Sequence, residues 1–195
     1  MGRPKHALVI DGHRAMIDFV IDAAAAVCSR PVIVGRVEPS VARGLDVIDD
    51  LRPGLGPLGA IEALLASGMA SQYLVCPCDV PVISPGTLGL LLNDTTSPAT
   101  VFRREAATVF DPLPARISAS TLPMVSRLLD SGRRGVHEFM REAGAHEIVL
   151  PQSREWELMN INTPADFDAA RRRLGQIRDV QPRPAPSQAH RPARP

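Results

Sequence analysis

The chain has 195 residues, 45% of them hydrophobic and 22% charged, which suits one globular domain and leaves little room for a second. Lys plus Arg number 22 against 21 for Asp plus Glu, a net charge of +1, and only 4% of residues are aromatic. That balance argues against a nucleic-acid partner, which calls for clustered basic residues or stacking platforms. Three cysteines cannot all pair within one chain, and Cys76 and Cys78 flank a single proline, unlike a C-x-x-C metal or redox site. No signal peptide and no membrane-spanning apolar stretch is readable, so a reducing cytoplasm is the expected setting.

In chain order, Ala7–Ile10 is a short apolar run closed by the turn pair Asp11-Gly12. Met16–Val27 carries apolar residues at helical spacing, with four alanines adding propensity. Pro31–Gly35 reads as a short buried strand and Leu45–Ile48 as a second, weak one, followed by a loop over Asp49–Pro57. Leu58–Met69 predicts a helix, Gln72–Cys76 a strand stopped by Pro77, and Thr87–Leu92 another helix. Strands are expected at Ala99–Phe102, Ala107–Phe110 and Ala115–Ser118. Helices follow at Thr121–Leu129 and Val136–Glu142, then a strand at His146–Leu150. Thr163-Pro164-Ala165-Asp166 opens a last helix to about Leu174, with a Thr cap, Pro in the first turn and an acid three residues on. This alternation indicates a three-layer α/β fold with a mainly parallel mixed sheet over residues 1–177. Residues 178–195 are rich in Arg and Pro, nearly without apolar content, and read as a disordered tail.

Three stretches carry chemistry. In Tyr73–Pro81 an apolar strand runs into Asp79, where an open α/β sheet binds its ligands. An acid there can hold Mg²⁺, although it can equally cap the turn before the next helix. Arg52–Gly59, with Gly56 and Pro57 after Asp49-Asp50, brings bare backbone and a helix start to a ligand, or serves only as a connection. Asn160 and Asn162 offer paired donors and acceptors, while Asn162 and Thr163 also suit an ordinary helix start. Lys5 is either a phosphate ligand or a solvated terminal lysine. The five histidines have no metal-binding spacing, and no G-x-S-x-G elbow supports a hydrolase triad.

Together these segments resemble the molybdenum cofactor guanylyltransferases, of the MobA-like NTP transferase type. Met1-Gly2-Arg3-Pro4-Lys5 is similar to the end of the signature L-A-G-G-x-S-x-R-M-G-x-x-K. Asp50 with Gly56-Pro57-Leu58 resembles the family's acid and G-P-L loop. Cys76-Pro77-Cys78-Asp79, Gly132–Arg141 and Asn160-Ile161-Asn162-Thr163-Pro164 resemble its C-P-C-D, G-x-R…F-M-R and N-x-N-T-P segments, in order, over residues 1 to about 174.

The resemblance implies a Rossmann-like enzyme that joins GMP from GTP to a molybdopterin-type cofactor, releases pyrophosphate and requires Mg²⁺. It implies catalytic roles for Asp79, on the metal, and for Lys5, on the triphosphate. Asp50, Gly56 and Pro57 would lie along the GTP site, and Asn160 and Asn162 on the pterin side or in the loops that frame it. Molybdoenzymes or their chaperones would be transient partners. The family's first strand and the L-A-G-G-x-S-x-R part of its loop have no counterpart here, and Gly35 stands where some members have Asn. From that departure we expect the chain as written to be poorly stable and inactive. The competing readings are a cytidylyltransferase or sugar-nucleotide pyrophosphorylase of the same fold, and a nucleotide-binding assembly protein without catalysis.

Overall fold

The computed structural model describes residues 8–180, with side chains to residue 176. Lys5, and the part of the Arg/Pro-rich tail from residue 181 on, lie outside the described residues.

Seven helices and six strands are described, alternating except where β5 follows β4 and α6 follows α5, and joined in places by 3-10 turns. The helices are α1 Met16–Ala25, α2 Pro39–Ala42, α3 Gly56–Ala66, α4 Pro85–Leu91, α5 Leu122–Asp130, α6 Val136–Glu142 and α7 Pro164–Val180. The strands are β1 Ile33–Val34, β2 Val47–Ile48, β3 Gln72–Val75, β4 Ala99–Arg104, β5 Asp111–Ser118 and β6 His146–Leu150. β1 and β2 form a parallel pair of their own. The other four order as β3-β5-β4-β6, with β5 antiparallel to both neighbours and β6 parallel to β4. The sheet is therefore mixed, as expected, but the four-stranded part is not mainly parallel, since β5 runs against both of its neighbours.

Alternation along the strands divides the core. Val101, Ala115 and Ile117 face one side, where Leu58 and Ile61 of α3, Val125 of α5 and Phe139 of α6 cover them. Phe102 and Leu150 face the other side, against Ala23 of α1 and Leu88 and Leu91 of α4. At one end Ile10, Met16 and Val82 meet Ile161, Ala170 and Leu174, so α7 closes over the start of α1.

Three sequence expectations need correction. Ala107–Phe110 is not a strand: the Ala107 N–H bonds back to the Arg104 carbonyl at 3.0 Å, forming a turn that leaves Val109 56% exposed. The strand begins one residue later, at Asp111, and its pairing with β4 shifts between Val101 and Phe102. The last helix passes Leu174 and reaches Val180, so residues 178–180 belong to α7 and not to the tail. No helix among the described residues is long and apolar enough to cross a membrane.

The two sheets do not touch edge to edge. A cavity of about 670 Å³ separates Val34 of β1 from Tyr73 and Val75 of β3, with Val20 and Ala24 of α1 on one face and Ile61 of α3 on the other.

Candidate functional site

β3 ends at Val75, and Pro77, which has no N–H to continue a ladder, turns the chain through Cys78 and Asp79. The apolar residues beyond this turn, Val80, Val82 and Ile83, are all buried, so it is anchored just behind the acid. Asp79 itself is half-buried, and its carboxylate makes no hydrogen bond or ion pair among the described residues. The alternative reading, in which that carboxylate caps the turn before the next helix, has no capping bond behind it among the described residues. Ser84 caps α4 instead, accepting the Thr87 N–H at 3.1 Å.

The same turn is fastened to the second predicted stretch. The Asp79 carbonyl accepts the Ile161 N–H at 2.9 Å, and the Ile161 side chain is buried between the exposed Asn160 and Asn162. The chain then enters α7 through a reciprocal cap. The Asp166 carboxylate accepts the N–H groups of Asn162 and Thr163 at 3.0 and 2.8 Å, and the Thr163 hydroxyl accepts the Asp166 N–H at 3.2 Å. The backbone of Asn162 thus belongs to a helix start, and that start is bonded through Ile161 to the Asp79 turn.

Asp50, Gly56 and Pro57 lie in the connection from β2 to α3. Gly54 and Gly56 adopt φ of +84° and +71°, which explains glycine at both positions, and Gly56 and Pro57 are exposed at the first turn of α3. Arg52 holds this loop from below, with ion pairs to Glu62 at 3.0 Å and to Asp130 of α5. Glu62 is only 3% exposed and also accepts the Ser126 hydroxyl at 2.7 Å. Asp50 is half-buried, and its carboxylate, like that of Asp79, has no partner among the described residues. The hydrogen bonds and ion pairs shown for this loop run to α3 and α5.

No group of three or more His, Cys, Asp or Glu side chains able to hold a metal occurs among the described residues. A closed transition-metal site is not formed by them. Single free carboxylates at a strand end suit a Mg²⁺ that keeps waters and takes its other ligands from substrate phosphates. The cysteines serve otherwise. Cys76 lines the cavity with Cys28, and burial, helped by the nearby Cys28, pushes its thiol up to about 12. Its sulfur is therefore a protonated, unreactive group near neutral pH.

Sequence reasoning missed the supports. Glu157, 4% exposed, accepts the Ser84 N–H at 2.9 Å and so pins the segment that follows the Asp79 turn. A lone acid between Trp156 and Leu158 carries no pattern that reveals this. Arg116 is fully buried in β5, where it donates to Gln72 of β3 at 2.9 Å, to the Ser97 carbonyl at 2.7 Å and to Thr100 of β4 at 2.5 Å.

This fold is that of the nucleotidyltransferases. The structure of molybdopterin-guanine dinucleotide biosynthesis protein A from Archaeoglobus fulgidus matches it with a TM-score of 0.72 over 90% of this chain and 92% of that one, at 20% identity. A sequence profile of the MobA-like NTP transferase domain matches residues 1–148, and the chain belongs to that family. A probable molybdenum cofactor guanylyltransferase of Mycobacterium avium is 30% identical over 182 residues, 87% of each chain. Another, from Carboxydothermus hydrogenoformans, is 27% identical over 173 residues, 86% of this chain and 87% of the relative.

Proposed function

We propose that the protein transfers GMP from GTP to a molybdopterin-type cofactor and releases pyrophosphate. The observation that carries the reading is the Asp79 turn: its carboxylate, beyond β3, has no partner among the described residues, and its backbone carbonyl accepts the Ile161 N–H of the Asn160–Asn162 segment. The names of the relatives and the order of the motifs point to the same reaction.

In this reading the terminal phosphate oxygen of the pterin attacks the α-phosphorus of GTP in line, and the bond to the bridging oxygen of pyrophosphate breaks. The work of the protein is to align the two and to spread negative charge. The start of α3, with Gly56 at φ +71°, lets backbone approach the nucleotide closely, and its first-turn N–H groups favour an anion. Asp50 at the mouth of that loop stands along the GTP side, while Asn160 and Asn162 frame the pterin side. Asp79 would hold Mg²⁺, which neutralises charge on the phosphates and the departing pyrophosphate. Lys5 would add a positive charge at the triphosphate. The reaction would run in the cytoplasm, and the product would pass to a molybdoenzyme or its chaperone.

The test is pyrophosphate release from GTP or CTP in the presence of molybdopterin-type cofactor and Mg²⁺, for the parent and Asp79→Asn. GTP-dependent release lost in the variant is expected. Preferential CTP turnover would assign the cytidylyltransferase reading instead, and nucleotide binding without release would assign the assembly protein.

A further inference from the structure

Glu62 lies on the buried face of α3, in company with Leu58, Ile61 and Leu65. Its Oε1 meets the Arg52 guanidinium at 3.0 Å and accepts the Ser126 hydroxyl of α5 at 2.7 Å. Its Oε2 is buried and has no hydrogen-bond partner among the described residues. A buried ion pair adds little net stability over apolar side chains of similar volume, although losing one partner alone is costly. The fold therefore gains little from a charge at this position. What the charge does determine is where Arg52 stands.

Arg52 sits between Asp50 and Gly56 in the loop from β2 to α3. Among the described residues it carries every side-chain hydrogen bond and ion pair of 49–55, to Glu62 and to Asp130, the last residue of α5. The loop also lies directly on α3: a side-chain carbon at Gly59 would come within 3.0 Å of the Leu55 Cβ and 3.6 Å of the Arg52 carbonyl. Its backbone turns at Gly54 and Gly56, both at positive φ, where glycine is the least restrained residue. One guanidinium thus ties a pliable loop to two helices.

We infer that Glu62 and Arg52 are positioning residues, which hold the Asp50–Gly56 loop in its nucleotide-receiving place before the nucleotide arrives. This role rests on the GTP reading above. Neither side chain touches substrate in it: Glu62 is buried beneath the loop, and the Arg52 guanidinium is committed to two carboxylates. A loop held ready binds with its intrinsic affinity, whereas one that is competent about a tenth of the time binds about tenfold more weakly. Once GTP is seated, the ligand itself orders the loop. Losing the tie therefore raises KM for GTP and leaves kcat and the KM for the pterin substrate nearly unchanged.

The experiment compares the parent with Arg52→Met, Glu62→Leu and the double variant, by thermal melting, backbone hydrogen exchange and steady-state kinetics with GTP and Mg²⁺. Arg52→Met alone leaves the Glu62 charge buried without its cation and is expected to lower the melting temperature. The double variant removes both charges and is expected to recover most of that loss. Its loop stays untied, however, so KM for GTP is expected to remain about tenfold above the parent value, with kcat within about threefold. Amide exchange at Leu51, Arg52, Gly54 and Leu55 is expected to be faster by a similar factor. A KM for GTP that returns to the parent value together with the melting temperature would overturn the inference, because the pair would then serve the fold alone. So would a fall in kcat at unchanged KM, or loop exchange equal to that of the parent. A parent that neither binds nor turns over GTP would sink the guanylyltransferase reading instead, and loop exchange in the double variant would then decide by itself whether the pair holds the loop.

Discussion

Asp79 and Cys76 stand three residues apart at the end of β3 and have opposite characters. The Asp79 carboxylate makes no hydrogen bond or ion pair among the described residues, so Asp79→Asn is expected to leave the melting temperature within about 1 °C, because changes away from packed or bonded groups stay near zero. The same change is expected to lower transfer at least 100-fold, since the neutral amide is a far poorer partner for a hard cation. A fall of several degrees in melting temperature would make Asp79 a structural residue. Cys76 is set by its surroundings, with a thiol moved from 9.0 up to about 12 by burial first and Cys28 second. Between those two values the unfolded chain releases a proton that the folded chain keeps. Stability from this group is thus full below about pH 9 and declines as pH rises toward about 12. Urea titrations over that range should show a shallower alkaline decline for Cys76→Ala than for the parent. An identical slope would remove Cys76 as the cause.

Most elements are legible because their patterns are local. α1, α5 and α6 each carry apolar residues at helical spacing, and Pro123 and Pro164 mark first turns. Ala107–Phe110 misleads because a β-like composition says nothing of a partner. The stretch is held as a turn, with the neighbouring Glu105 N–H on the Glu155 carboxylate at 2.7 Å, a contact made 50 residues away. α2, only four residues long, is too short for periodicity to show. The start of α7 is the opposite case, since its Thr-Pro-x-Asp cap is written in the sequence and formed in the structure. Thr163→Ala is expected to cost about 1 kcal/mol. For a chain of this size that corresponds to a melting temperature lower by about 2–4 °C. Calorimetry checks this, and an unchanged value would mean that Asp166 caps the helix alone.

At the scale of the whole molecule, the candidate site was legible as motifs and their order, and the joints that assemble it were not. The bond from Ile161 to Asp79 spans 82 residues, and Glu157 reaches Ser84 across 73. Such pairings depend on which loops the sheet brings to one edge, and no local pattern encodes that. The cavity between β1 and β3 belongs to the same class. Each wall reads as an ordinary short strand, and only their separation shows the space between them. The packing that holds the layers is concentrated in side chains such as Phe139, which is fully buried under the sheet. Phe139→Ala is expected to cost about 3–5 kcal/mol, enough to unfold a marginal domain, and denaturant titration reads it directly.

The most direct test of the account is single-turnover transfer of labelled α-phosphate from GTP to molybdopterin-type cofactor. The account predicts a labelled GMP–pterin product with one pyrophosphate per turnover, several-fold faster than with CTP and lost in Asp79→Asn. Label that stays in GTP, or a product that forms equally well in Asp79→Asn, would contradict it.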